Sequence, residues 1–100
     1  MEKFSDIINS NTPTLADFYA EWCAPCKNMK PILKELKQQM GEKVRIIKID
    51  VEKNSSLSQA LEIRSVPTLI LYRNGNIVWR ASGLRSAEEL KEIIEKFQPQ

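Results

Sequence analysis

The chain has 100 residues, which suits one folded domain spanning 1–100 with a single core between layers. Hydrophobic residues make up 42% and charged residues 28%, a balance that excludes a disordered chain. The net charge is +2, from 15 basic and 13 acidic residues scattered singly with no basic run of five, so no nucleic-acid partner is expected.

No stretch of 18 apolar residues occurs, so no membrane span is expected. The opening MEKFSDIINSNTP is interrupted by acids where a secretory leader needs an apolar run. The expected compartment is the cytoplasm, or the periplasm or the exterior for a chain whose leader has been removed. Met1–Ser10 reads as a short helix with Phe4, Ile7 and Ile8 on one face, ended by Asn11-Thr12-Pro13. Thr14–Tyr19 is mostly apolar, a buried strand with one charge, Asp17, in its middle. After a break at Ala20–Pro25, helical spacing runs from Cys26. Met29, Leu33, Leu36 and Met40 form one stripe, and Lys30, Lys34 and Lys37 face away. Pro31 should kink this helix, because it lacks an N–H, and Gly41 closes it. Val44–Ile49, rich in β-branched residues, reads as a central strand. Asp50–Asn54 turns, and Asn54 can cap a short helix, Ser55–Leu61. Thr68–Arg73 and Ile77–Arg80 read as a hairpin turned at Asn74-Gly75, and Gly83 breaks its second strand. Ser86 caps a last helix, Glu89 completes a capping box, and Leu90, Ile93, Ile94 and Phe97 form the buried face. Gln98-Pro99-Gln100 reads as a frayed tail. Alternating helices and strands predict an α/β fold with helices on both faces of a sheet. Right-handed crossovers or long reversing connections join the first three strands, and the last two are antiparallel.

The segment Trp22-Cys23-Ala24-Pro25-Cys26-Lys27 carries the chemistry. Two cysteines separated by two residues, at a strand-to-helix junction, match the redox form of this spacing. Cys23 sits at the helix N-terminus, where unpaired N–H groups and the helix dipole favour a thiolate, so its pKa should fall below about 8.5. Cys26, one turn deeper, is better placed to resolve than to attack. Pro25 falls in the first turn, where its missing N–H costs nothing, and it stiffens the ring that sets the reduction potential. Three other readings compete. A structural disulfide is weak because so short a loop is a poor staple. Half of a metal site completed by a partner chain, and two inert buried thiols, are the other two. Histidine is absent, which removes Cys–His and Ser–His–Asp catalysis and all His-containing metal sites. Two cysteines alone cannot supply four zinc ligands, so no metal is expected, and thiol–disulfide exchange needs no bound organic cofactor.

Asp17 is the second notable residue. A carboxylate in an apolar strand is costly unless paired or protonated, and without a partner its pKa should rise to where it can move protons near neutral pH. The alternative is a surface carboxylate on an edge strand. Pro67 opens a strand at a position that needs no ladder N–H. Trp22 is either core or the rim of a peptide-docking surface.

At these residues the chain resembles the thioredoxin family. Asp17-Phe18-Tyr19-Ala20-Glu21-Trp22-Cys23-Ala24-Pro25-Cys26-Lys27 is similar to that family's strand and active-site segment. Pro31-Ile32-Leu33, Ile49-Asp50-Val51, Val66-Pro67-Thr68 and Gly83 follow at matching places, so the likeness runs from about Thr14 to Phe97. It implies a three-layer α/β/α fold around a mixed sheet of four strands, or five where a strand precedes the first helix. It also implies a disulfide reductase acting on disulfide-containing proteins and resupplied by a thioredoxin reductase. Cys23 would be the exposed nucleophile, Cys26 the resolving thiol, and Asp17 the buried carboxylate that manages the proton of Cys26. Pro67 would be cis and face the disulfide. Trp22, Val66, Gly83 and Leu84 would line the docking surface, with the Val66 backbone pairing to a substrate strand.

The chain departs from the family pattern in three places. Ala24 replaces the commonest glycine, which bears on the helix start, the potential and the docking surface. Ile46 stands where bacterial members often carry a lysine near the buried aspartate, so Asp17 keeps a cationic partner only if Lys48 reaches inward. The segment Met1–Phe4 leaves little room for the family's extra first strand, which would expose a sheet edge. A monomer is expected, with a dimer through that edge as the alternative. Two other functions compete: a disulfide oxidant or isomerase in an oxidising compartment, and a non-enzymatic binding module on the same fold.

Overall fold

The computed structural model describes residues 3–99, so Met1, Glu2 and Gln100, the ends of the expected first helix and tail, lie outside the described residues. The elements in chain order are α1 (Phe4–Ile8), β1 (Thr14–Tyr19), α2 (Ala24–Met40), a 3₁₀ turn (Gly41–Lys43), β2 (Arg45–Asp50), α3 (Ser55–Ala60), β3 (Thr68–Arg73), β4 (Asn76–Ser82) and α4 (Ala87–Glu95). Among the described residues the strands form one mixed sheet in the order β2-β1-β3-β4. β1 runs parallel to β2 through the α2 crossover and antiparallel to β3, which pairs antiparallel with β4. The connection through α3 therefore reverses the chain.

Helices cover both faces of the sheet. Side-chain alternation sends Leu15, Leu69 and Leu71 to one face, where they pack on Met29, Leu33 and Leu36 of α2 and on Leu90 and Ile94 of α4. Ala16, Phe18, Ile70 and Tyr72 point to the other, against Ile8 and, from the partly buried set, Phe4, Leu57 and Leu61. Phe4 meets the Tyr72 ring edge-on at 5.5 Å. β1 and β3, buried on both faces, are the inner strands.

The expectation of a central strand at Val44–Ile49 is corrected: the strand is Arg45–Asp50 and it lies at the edge of the sheet. Its composition misleads for a physical reason. Ile46 packs on one core and Ile47 and Ile49 on the other, so both faces are apolar although only one side of the strand is paired.

Local chemistry sets the helix ends. α2 starts at Ala24, two residues earlier than the side-chain spacing indicates, because Cys23 acts as its N-cap: its Sγ accepts the Cys26 N–H at 3.1 Å. Pro25 occupies the first turn, and the helix continues unbroken through Pro31. Asn54 does not cap α3 with its side chain as expected; its Nδ2 donates back to the Asp50 carbonyl at 2.9 Å. Ser86 caps α4 by accepting from the Glu89 N–H at 3.1 Å, but the Glu89 carboxylate turns to Arg85, at 3.4 Å, instead of closing the box. The β3–β4 hairpin turns at Asn74 and Gly75, both at positive φ (52° and 82°), as a tight primed turn requires. β4 is longer than expected, reaching Ser82, and carries a bulge opposite Leu71 and Tyr72.

Candidate active site

β1 delivers the chain to the site and α2 carries it away. A turn closed by the Cys23 N–H on the Ala20 carbonyl, at 3.1 Å, places Cys23 at the helix cap. Cys23 and Cys26 are joined in a disulfide with a Cα–Cα distance of 5.2 Å. The Cys26 N–H aimed at Cys23 Sγ is a donor that, in the dithiol form, stabilises negative charge on that sulfur.

The expected contrast between an exposed Cys23 and a shielded Cys26 is corrected for this oxidised form: the residues are 3% and 4% exposed. The strand-opening loop contributes to the shielding of Cys23. The Val66–Pro67 peptide is cis, and the Val66 carbonyl oxygen lies 3.5 Å from Cys23 Sγ. Ala20, Cys23 and Cys26 form a small cluster against which Tyr19, Val51 and Val66 pack.

The two sulfurs have different surroundings. Cys26 lines a cavity of about 160 Å³ together with Asp17, Tyr19, Lys30 and Lys48. Asp17 is 2% exposed, and its Oδ1 has no hydrogen-bond partner. Burial pushes its carboxyl up to about 6, against the lowering pull of the Lys48 ammonium. The surface-carboxylate reading of Asp17 is thereby corrected, since β1 is an inner strand. Lys48 stands directly opposite Asp17 in the parallel register. The cation thus comes from two residues beyond Ile46, on the same face of β2.

Lys30, expected only to face away from the core, also walls this cavity. The signal is its spacing, four residues from Cys26 on one helix. Trp22 is 69% exposed and, with Val51, Ile63, Arg64, Ser65 and Val66, lines a cleft of about 170 Å³ on the other side of the disulfide loop. Ile63, Arg64 and Ser65 carry no signal in the sequence, because they reach the cleft only through the β2–β3 connection. Gly83 joins the site through its N–H, which donates to the Pro67 carbonyl at 2.9 Å, and its φ of 89° favours a residue without a side chain. Leu84, 43% exposed, follows Gly83 and is not among the residues lining the cleft. Ala24 is exposed at the first position of α2. Among the described residues no group of three His, Cys, Asp or Glu could hold a metal ion, and no helix is long and apolar enough to cross a membrane.

Comparison with known proteins adds a family and several relatives. The family model described as Thioredoxin matches residues 1–96. The chain is 43% identical to the thioredoxin of Bacillus subtilis over 82 residues, covering 82% of this chain and 79% of that one. It is 42% identical to the chloroplastic thioredoxin Y of Oryza sativa over 93 residues, 92% of this chain but 55% of the longer relative. Among solved structures, a single-site mutant of the thioredoxin of Halobacterium salinarum superposes with a TM-score of 0.85 at 34% identity, covering 100% of this chain and 89% of that one.

Proposed function

The chain belongs to the thioredoxin family and is a thiol–disulfide oxidoreductase acting on protein substrates through Cys23 and Cys26, and on that premise we propose that it works as a reductase, with Asp17 moving the proton of the second thiol. The observation that carries this reading is the shared cavity beneath the disulfide, where a buried carboxyl with an unpartnered oxygen and a pKa of about 6 faces the same space as Cys26.

In the dithiol form the Cys23 thiolate, held by the Cys26 N–H and the start of α2, attacks one sulfur of a substrate disulfide. A mixed disulfide forms and one substrate thiolate leaves. Asp17 accepts the proton of Cys26 across the cavity. The Cys26 thiolate then attacks Cys23 Sγ, the mixed disulfide breaks, and the second substrate thiolate departs and is protonated. Two electrons have passed to the substrate, with one proton from Cys26 by way of Asp17 and one from solvent on the first thiolate released, and the protein holds the Cys23–Cys26 bond. The Trp22–Val66 cleft and Leu84 offer apolar surface to the docked chain, Pro67 and Gly83 hold its floor, and Pro25 and Ala24 tune the ring. A reductase of the thioredoxin reductase class regenerates the dithiol, which places the work in a reducing compartment such as the cytoplasm.

Cys26→Ser is expected to accumulate a covalent adduct with a disulfide-bonded protein through Cys23, and Cys23→Ser to form none. An adduct on Cys23→Ser instead, or on neither, overturns the assigned roles. The reduction potential tests the direction. The general reference figure for thioredoxin is about −270 mV, and a value near it supports a reductase, whereas a result above about −200 mV reassigns the chain to oxidation or isomerisation.

A further inference from the structure

A further concave surface continues from the Asp17 cavity along the same flank of α2, sharing Lys30 and Lys48 with it. It is a groove of about 420 Å³ between that helix and the edge strand β2, walled by the side chains of Lys30, Lys34, Lys37 and Lys48, while Arg45, which also borders it, turns its guanidinium to the other face of the sheet and donates to the Ile7 carbonyl at 3.2 Å. Its apolar floor is Leu33 and Ile46. No acidic residue lines it, although the whole chain carries only two more bases than acids. Among the described residues the ion pairs lie elsewhere, at Arg64–Glu62 and Arg85–Glu89. Of the four lysines on this groove, Lys48 faces the Asp17 carboxyl and Lys37 the Val44 carbonyl, while Lys30 and Lys34 have no acidic partner among the described residues, so like charges crowd its helix side.

The strand beside the groove is also unpaired on its outer side. The Arg45 N–H bonds to the Pro13 carbonyl and the Val51 N–H to the Tyr19 carbonyl, both at 2.9 Å, so odd-numbered residues of this stretch face β1. The N–H and C=O groups of Ile46 and Lys48 therefore point away from the sheet. The flanking carbonyls are already occupied: Val44 accepts from Lys37 Nζ at 2.6 Å, and Asp50 from the Asn54 side chain at 2.9 Å. What remains is a short free edge with cations on the helix above it.

We propose that this groove seats an extended acidic peptide segment of a partner protein, which adds a strand to β2 and points alternate acidic side chains at the lysines of α2. Strand addition supplies main-chain hydrogen bonds to Ile46 and Lys48, and charge complementarity supplies the selection. A nucleic acid fits less well, because the groove contains no aromatic side chain on which a base could stack. Lys30 and Lys48 also wall the cavity holding Asp17 and Cys26, so an acidic segment bound here is electrostatically linked to the redox site.

The test uses the oxidised full chain and a fluorescent ten-residue peptide of alternating Glu and Thr, followed by anisotropy at low and at physiological salt. Saturable binding that weakens with salt is expected. Lys34→Glu should weaken it about tenfold, whereas the same charge reversal outside the groove, Lys53→Glu, should leave it unchanged. The peptide N-methylated at every second residue, made in both registers, should lose binding in one register only, because a strand pairs through one edge. The proposal is overturned by absent or unsaturable binding, by equal weakening in Lys53→Glu, by indifference to N-methylation in both registers, or by equally tight binding of a single-stranded decanucleotide.

Discussion

Replacing Asp17 with asparagine keeps the shape of a 2%-exposed side chain and removes its ability to ionise. The wild-type carboxyl has a folded pKa of about 6 against an ordinary value of 3.8, raised by burial and only partly offset by Lys48. A carboxyl whose pKa is higher in the folded chain than in the unfolded chain favours the fold while it stays protonated. That contribution is fully present below the unfolded value of 3.8 and is lost as pH rises through the folded value of about 6. The gap corresponds to about 3 kcal/mol. Asp17→Asn should therefore match the wild type near pH 3.5 and exceed it by up to about 3 kcal/mol at pH 8. The figure is a ceiling, since the amide still leaves polar atoms without partners. Urea unfolding of the oxidised protein, followed by Trp22 and Trp79 fluorescence at several pH values, measures this directly. The difference between the two proteins isolates Asp17 from the other titrating groups. A difference that does not change with pH, or a variant less stable at pH 8, would refute an ionised, desolvated carboxylate at this position.

Lys48→Met removes the charge that pulls the Asp17 carboxyl down, so a carbon-detected titration of that carboxyl should show its midpoint moving further above about 6; an unmoved midpoint would mean the ammonium does not act on it. Leu36→Ala empties a fully buried site between α2 and α4 and should cost about 2–5 kcal/mol, read as a lower urea midpoint at unchanged slope. Ser86→Ala deletes the hydrogen bond to the Glu89 N–H and should cost about 1 kcal/mol in the same titration, with no change in the Cys23–Cys26 potential.

Several features were legible in the residues because their causes are local. The Asn74-Gly75 turn needs two positive φ values, and that dipeptide tolerates them. The stripe of Met29, Leu33, Leu36 and Met40 needs only a helical period, and the cysteine spacing with Pro25 needs only the first turn of α2. The resemblance added expectations for Asp17, Pro67 and Gly83, places where composition by itself left the role open. Asp17 shows the boundary plainly: its type and its apolar neighbours pose the question of burial, but only a strand on each side answers it.

The alternation of elements, the two-residue spacing of the thiols and the apolar faces are readable from the residues, since each rests on near neighbours in the chain. Tertiary structure decided the rest. It put the isoleucine-rich β2 at the edge and β1 inside, because strand order depends on which distant segments share backbone hydrogen bonds and hydropathy does not encode that. It set Lys48 opposite Asp17, brought Lys30 to the same cavity, and closed the Val66 carbonyl over Cys23, because each of these contacts spans elements whose approach is fixed by the packing of the whole core.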